Sequence, residues 1–171
     1  MLSGDMSLEN PEFWMKQAYA LADEAASLYG EVPVAALLVR NNLVLGKGTN
    51  ERLRSERTTS HAEIIALEDY NLRFGRWRCE PGTSLVVTTE PCLMCTGALL
   101  WARVDHLYFG CEDPRGAGLR RVQPLINDGT YDHRFCTIHG GILGDECSAM
   151  MSAFFARMRV RKSIDSDFYF F

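Results

Sequence analysis

The stretch Thr89-Glu90-Pro91-Cys92-Leu93-Met94-Cys95 directly follows the apolar run Ser84 to Thr88. That run reads as a strand, and Pro91 suits the first position of a helix, here extending to about Val104. Cys92 and Cys95 then fall three apart in the first turn, with their sulfurs on one face. A helix N-terminus is electropositive and favours thiolate over thiol, the form that binds metal. A second segment, His61-Ala62-Glu63, opens another helix that reads to Leu72. One imidazole and two thiolates have the softness zinc prefers, and three protein ligands leave the fourth tetrahedral position open, as catalytic sites do. A water there would be made more acidic by the metal, and Glu63 is the natural proton carrier beside it. Residues two apart inside a helix point to different sides, so His61 has to sit at the helix end for both side chains to serve one metal.

Each segment also has a plainer reading. A C-x-x-C pair occurs as a redox pair or as two buried cysteines. Ser60-His61-Ala62-Glu63 fits a capping box, with Ser60 as the cap and Glu63 reaching back to it, which would make Glu63 structural.

Working outward, Glu12 to Tyr29 has helical spacing, and Val32 to Val39 is short, apolar and β-branched. Asn41-Asn42 suggests a hairpin turn into Leu43 to Gly48. Asn50 to Ser60 reads as loop, His106 to Phe109 as strand, Asp113 to His133 as loop containing a short helix, and Phe135 to Ile138 as strand. Gly144 to Lys162 is the last helix, with Cys147, Met150, Met151, Phe154, Phe155 and Met158 on one stripe. The order α-β-β-α-β-α-β-β-α suits a five-stranded mixed sheet with helices on both faces, in one domain spanning residues 1–171. The chain has no apolar run long enough to span a bilayer and does not begin like a signal peptide, so the expected location is cytoplasmic. In that setting six cysteines are read as thiols or metal ligands rather than disulfides. A formal net charge of -4 advertises no general affinity for polyanions, so any nucleic-acid contact has to come from a local basic patch.

The two segments together match H-x-E…P-C-x-x-C, a signature shared by many zinc-dependent base and nucleoside deaminases. From about Phe13 to Arg161 the chain resembles the bacterial tRNA-specific adenosine deaminases. The resemblance rests on Glu31-Val32-Pro33-Val34, His61-Ala62-Glu63-Ile64, Thr89 to Cys95, Phe109-Gly110, Asp132-His133-Arg134, Gly141-Ile142-Leu143, Glu146-Cys147 and Phe154-Phe155. It implies a cytidine deaminase-like three-layer α/β/α fold and one Zn2+ per subunit, held by His61, Cys92 and Cys95. It also implies hydrolytic conversion of the wobble adenosine of a tRNA anticodon to inosine, with Glu63 moving the protons. By the same resemblance Asn50 binds the flipped adenine, Ala62 offers its backbone N–H, Asp113 touches a neighbouring ribose, and Phe154 with the basic residues after it, Arg157 and Arg159 among them, contacts the anticodon loop. The family's members are homodimers. Ala35, Ser60, Thr89 and the loop Pro114 to Arg121 depart from the family's usual residues.

Arg157, Arg159, Arg161 and Lys162, with Arg115, Arg120 and Arg121, could meet a splayed RNA loop through phosphate contacts beside stacking aromatics. The same arginines also suit the last turn of a helix, and Phe154 and Phe155 also fit a core stripe. Two rival functions share the zinc motif. One is a deaminase of guanine, cytosine or a free nucleoside, which the acidic net charge favours slightly. The other is an RNA-binding scaffold with a structural zinc, against which the open fourth position and Glu63 argue. The aromatic tail Asp167 to Phe171 has no assigned partner.

Overall fold

A computed structural model describes residues 8–113, 118–129 and 131–164, with side chains as far as Val160. Arg115, the side chains of Arg161 and Lys162, and the aromatic tail lie outside these residues.

Helix α1 (Pro11–Tyr29) opens at Asn10, whose Oδ1 accepts the Phe13 N–H at 3.0 Å, and closes at Gly30 in the left-handed conformation. Strands β1 (Ala35–Arg40) and β2 (Leu43–Thr49) form the expected hairpin. Asn41 and Asn42 both take positive φ, 50° and 56°, as a two-residue turn between right-twisted strands requires. A short helix, α2 (Arg52–Ser55), interrupts the stretch that reads as loop. It is held from a distance, because the Glu31 carboxylate accepts the N–H groups of Leu53 and Arg54. Helix α3 (Ala62–Phe74), strand β3 (Ser84–Thr89) and helix α4 (Leu93–Trp101) follow. Helix α4 begins two residues later than Pro91. It stops before Val104 because Arg103 adopts a positive φ of 63°, which no right-handed helix accommodates. Then come β4 (His106–Cys111), α5 (Gly118–Asn127), β5 (Thr137–His139) and α6 (Gly144–Ile164). Strand β5 is shorter and later than its sequence suggests. The Asp105 carbonyl accepts the Cys136 N–H at its entry, and Phe135 is drawn into the core instead of the ladder.

The sheet order is β2-β1-β3-β4-β5. Strand β1 is antiparallel to both neighbours, and β3, β4 and β5 run parallel, so the sheet is mixed. Strand alternation divides the core into two faces. Ala36, Leu38, Leu85, Val87, Leu107 and Phe109 pack with α3, α4 and α5, whereas Leu37, Val39, Val86 and Tyr108 pack with α1 and the start of α6. Each such aliphatic side chain contributes roughly 1.5–3 kcal/mol by leaving water.

This topology gathers several chain ends at one edge. Ala35 of β1 pairs with Thr49 at the end of β2, Ala36 pairs with Val87 near the end of β3, and Thr89 pairs with Cys111 at the end of β4. In open α/β sheets ligands bind outside such an edge. Gly48 fixes how close α3 comes to it. A Cβ at this position would stand 2.3 Å from the Ala62 carbonyl oxygen and 2.6 Å from the Ala66 nitrogen, so only glycine lets β2 lie against the first turn of α3.

Candidate metal centre

His61 and Cys92 occupy equivalent positions. Each is the residue before the first helical turn, of α3 and α4 respectively, with extended backbone (φ -80°, ψ 153° and φ -69°, ψ 172°) and no side-chain capping bond. His61 is therefore outside the helix that contains Glu63, and both side chains can reach one point. The same geometry removes the capping-box reading. The cap is His61 and not Ser60, whose hydroxyl instead receives the Ser55 hydroxyl at 3.0 Å. Cys95 lies in the first turn of α4 and is fully buried.

His61 Nδ1 lies 3.6 Å from Cys92 Sγ and 3.5 Å from Cys95 Sγ. The three donor atoms lie within 4.8 Å of one another. Tetrahedral zinc, with Zn–N about 2.0–2.1 Å and Zn–S about 2.3 Å, sets N···S separations of roughly 3.6 Å. Separation and donor chemistry both fit zinc.

The electrostatics agree with a metal-binding set. The Cys95 thiol donates to Cys92 and lowers its pKa to about 4, with His61 adding to the effect. That same bond, followed by burial, pushes Cys95 up. His61 is raised by its hydrogen bond with Cys92. Glu63 is 2% exposed, and burial raises its pKa to about 7. A carboxyl poised near neutrality can both take and give a proton.

The centre opens into a cleft of about 560 Å³. Among the residues expected from sequence, the cleft is lined by Asn50, His61, Ala62, Glu63, Cys92, Asp113 and Arg159. Arg157 is exposed but does not line it. Phe154 does not line it either: it is 4% exposed and belongs to the core side of α6. Its neighbour Phe155, 43% exposed, faces the cleft and rests edge-on against the Phe154 ring at 5.4 Å between centroids. Arg120, one of the arginines considered for RNA, lies 3.6 Å from Glu90 Oε1 and 3.4 Å from Glu112 Oε2.

Sequence reasoning missed Arg52 of α2, and Ser148, Met151 and Ser152, which with Phe155, named beside Phe154 as a possible stacking aromatic, form the cleft-facing line of α6. The spacing 148, 152, 155, 159 is a helical face and could have pointed to them. Glu31 belongs to a stretch that carries the family resemblance, but nothing local assigns it a role. The six cysteines are free thiols, and no helix among the described residues is long and apolar enough to cross a membrane.

Comparison with known proteins agrees with this centre. Residues 8–111 match the cytidine and deoxycytidylate deaminase zinc-binding region. The chain is 36% identical over 151 residues to a tRNA-specific adenosine deaminase of Bacillus subtilis, covering 88% of this chain and 92% of that one. It is 38% identical over 160 residues to a tRNA-specific adenosine deaminase of Haemophilus influenzae, covering 92% and 90%. A solved structure from work on A-to-I editing by tRNA:A34 deaminases superposes with a TM-score of 0.71 at 28% identity, covering 81% of this chain and 99% of that one.

Proposed function

We propose that this chain, which belongs to the cytidine and deoxycytidylate deaminase family and within it to the tRNA-specific adenosine deaminases, hydrolyses the wobble adenosine, position 34, of a tRNA anticodon to inosine and ammonia. The observation that carries the chemistry is the pair of 3.5 and 3.6 Å N···S separations beside a buried glutamate at the floor of an open cleft.

His61 Nδ1, Cys92 Sγ and Cys95 Sγ would hold one Zn2+ per subunit. The metal, when bound, supplies the acidity that makes water a nucleophile at neutral pH. Glu63 takes one proton of the attacking water and passes it to the ring, then takes the second from the hydroxyl left on C6 and passes it to the departing ammonia. Its burial supports this, because a carboxylate in water would be too weak a base and too strong an acid for both steps. Asn50 and the Ala62 N–H meet the base at the mouth of the centre, and Asp113 stands on the side where a neighbouring ribose would lie. On α6, Phe155 offers the stacking surface and Arg159 a phosphate contact. A tRNA substrate supports a cytoplasmic location for this work.

A homodimer fits the exposed face of α4. Leu93 and Trp101, 60% and 66% exposed, flank Gly97 at i, i+4, i+8 spacing, and a second copy of the chain would cover that stripe. Sedimentation of wild type and Trp101→Glu tests this: a shift from dimer to monomer supports it, and two monomers refute it.

The function is tested by incubating the purified protein with a panel of tRNAs, free adenosine, guanine and cytosine, scoring inosine and ammonia. Inosine at the wobble position of tRNA is the expected product. Turnover of guanine or cytosine with none on any tRNA overturns the substrate while leaving the deaminase chemistry standing.

A further inference from the structure

Glu31 precedes β1, in the segment that meets the ends of β2 and β3. It is 1% exposed, and its carboxylate collects three donors. Oε1 accepts the Arg54 N–H at 2.6 Å, while Oε2 accepts the Asn50 Nδ2 amide at 2.9 Å and the Leu53 N–H at 3.3 Å. An ionised carboxylate can only accept hydrogen bonds. The Asn50 amide therefore has no choice of orientation: Nδ2 must face Glu31, and Oδ1 is the atom turned away from it. Asn50 lines the cleft, and Oδ1 makes no hydrogen bond to any described residue. We propose that Glu31 is a positioning residue that acts through Asn50, fixing which way its amide faces, so that Oδ1 is always the acceptor turned away from Glu31 and only the second Nδ2 hydrogen stays free to donate. This rests on the reading of Asn50 as a base-binding residue. An asparagine free to flip would present the two groups interchangeably, and a site built around one hydrogen bond loses discrimination when that bond reverses.

The backbone donors make the consequence of a substitution definite. In Glu31→Gln the single carbonyl oxygen is claimed by the short bond from Arg54 N–H. The new amide nitrogen then faces Asn50, which turns its oxygen toward Gln and its nitrogen into the cleft. Pairing Glu31→Gln with Asn50→Asp reverses the chemistry again. The Gln amide donates to one Asp oxygen, and the other oxygen returns an acceptor to the cleft at unchanged net charge.

The test measures kcat/KM on an anticodon-arm RNA with adenosine at the wobble position, and on guanine, for wild type, both single variants and the double variant. Zinc content and melting temperature are read on the same samples. Glu31→Gln is expected to lose about ten- to a hundred-fold, the usual effect of an outer residue that orients an inner one. Asn50→Asp, which sets two carboxylates face to face, should lose at least as much. The double variant should recover to within about tenfold of wild type at unchanged zinc content. Rescue by the swapped pair is something a purely structural glutamate would not give. If Glu31→Gln does not fold, Asn50→Asp and the double variant carry the comparison alone. A double variant no better than the worse single variant overturns the proposal, as does a Glu31→Gln protein with wild-type kcat/KM. Wild-type turnover of guanine only would overturn the tRNA reading, yet the same rescue pattern on guanine would uphold Glu31. Inactivity of wild type on both would overturn both.

Discussion

The floor of the cleft and its rim are assembled from the same kinds of element but constrained in different ways. On the floor, His61 and Cys92 precede helices that start where strand ends converge, and Glu63 and Cys95 sit within the first turn of those helices. Every one of these side chains is fixed by the helix start that carries it, with backbone bonds such as Ile65 N–H to His61 O at 3.0 Å and Thr96 N–H to Cys92 O at 2.8 Å holding the turn. On the rim, α6 supplies Ser148, Met151, Ser152, Phe155 and Arg159 from one exposed face. Nothing local selects that face. It is chosen by the opposite side of the helix, where Cys147, Met150 and Phe154 are buried. Floor residues should thus be intolerant of substitution because of what they bind, and rim residues should separate cleanly into those that hold the helix and those that meet substrate.

The harshest test removes a ligand. Cys92→Ala should lose nearly all zinc and all turnover, whereas wild type purified without added metal should carry about one zinc per chain by elemental analysis. Full zinc occupancy in the variant would break the assignment of the floor. Next in size, Glu63→Ala should keep zinc and fold while losing roughly two to four orders of magnitude in rate. A variant with near-normal turnover would return Glu63 to a structural role.

The two adjacent phenylalanines sharpen the comparison on the rim. Phe154→Ala should lower the stability by about 3–5 kcal/mol through the cavity it leaves. Phe155→Ala should leave the melting temperature near wild type and weaken binding of an anticodon-arm RNA by about 1–3 kcal/mol. Equal effects of the two on both measurements would mean that α6 is rotated from the orientation described. Arg159→Gln should reduce the salt dependence of tRNA binding by about one unit of slope, and Arg157→Gln by less.

The smallest effect concerns the seat of α6. Burial pushes the Cys147 thiol from its ordinary 9.0 up to about 12. Because the folded value is the higher one, its contribution to stability is whole below pH 9 and is lost as pH rises from there toward 12. Melting curves in this range should fall less steeply for Cys147→Ala than for wild type. Cys79, raised similarly by burial, remains in both proteins as a common background.

This contrast also explains what could be read from the sequence. The floor was legible because its signals are local: ligand spacing, a proline before a cysteine pair, and helix starts directly after a strand or loop. The hairpin at Asn41-Asn42 and the alternation in β1, β3 and β4 are local in the same sense. The rim was only half legible. Phe154 and Phe155 stand about 100° apart on the helix, and both fit an apolar stripe. Which of them is buried is decided by how α6 meets the sheet, which spacing alone does not contain. Helix α2 and the role of Glu31 were invisible for a similar reason, since the carboxylate and the donors it accepts from lie about twenty residues apart in the chain. Strand β5 was displaced by bonds to Asp105, another distant partner.

The first residue of α5 carries one more consequence. A Cβ on Gly118 would fall within 2.3 Å of the Cys92–Leu93 peptide, so the α5 start and the backbone beside a zinc ligand are in direct contact, with no side chain between them. A shift of the α5 start is then passed to the backbone beside the coordination sphere as a displacement, with no rotamer change to absorb it. For anyone substituting residues at that helix start, metal retention becomes the first trait to monitor, and position 118 sets the mechanical tolerance of the design.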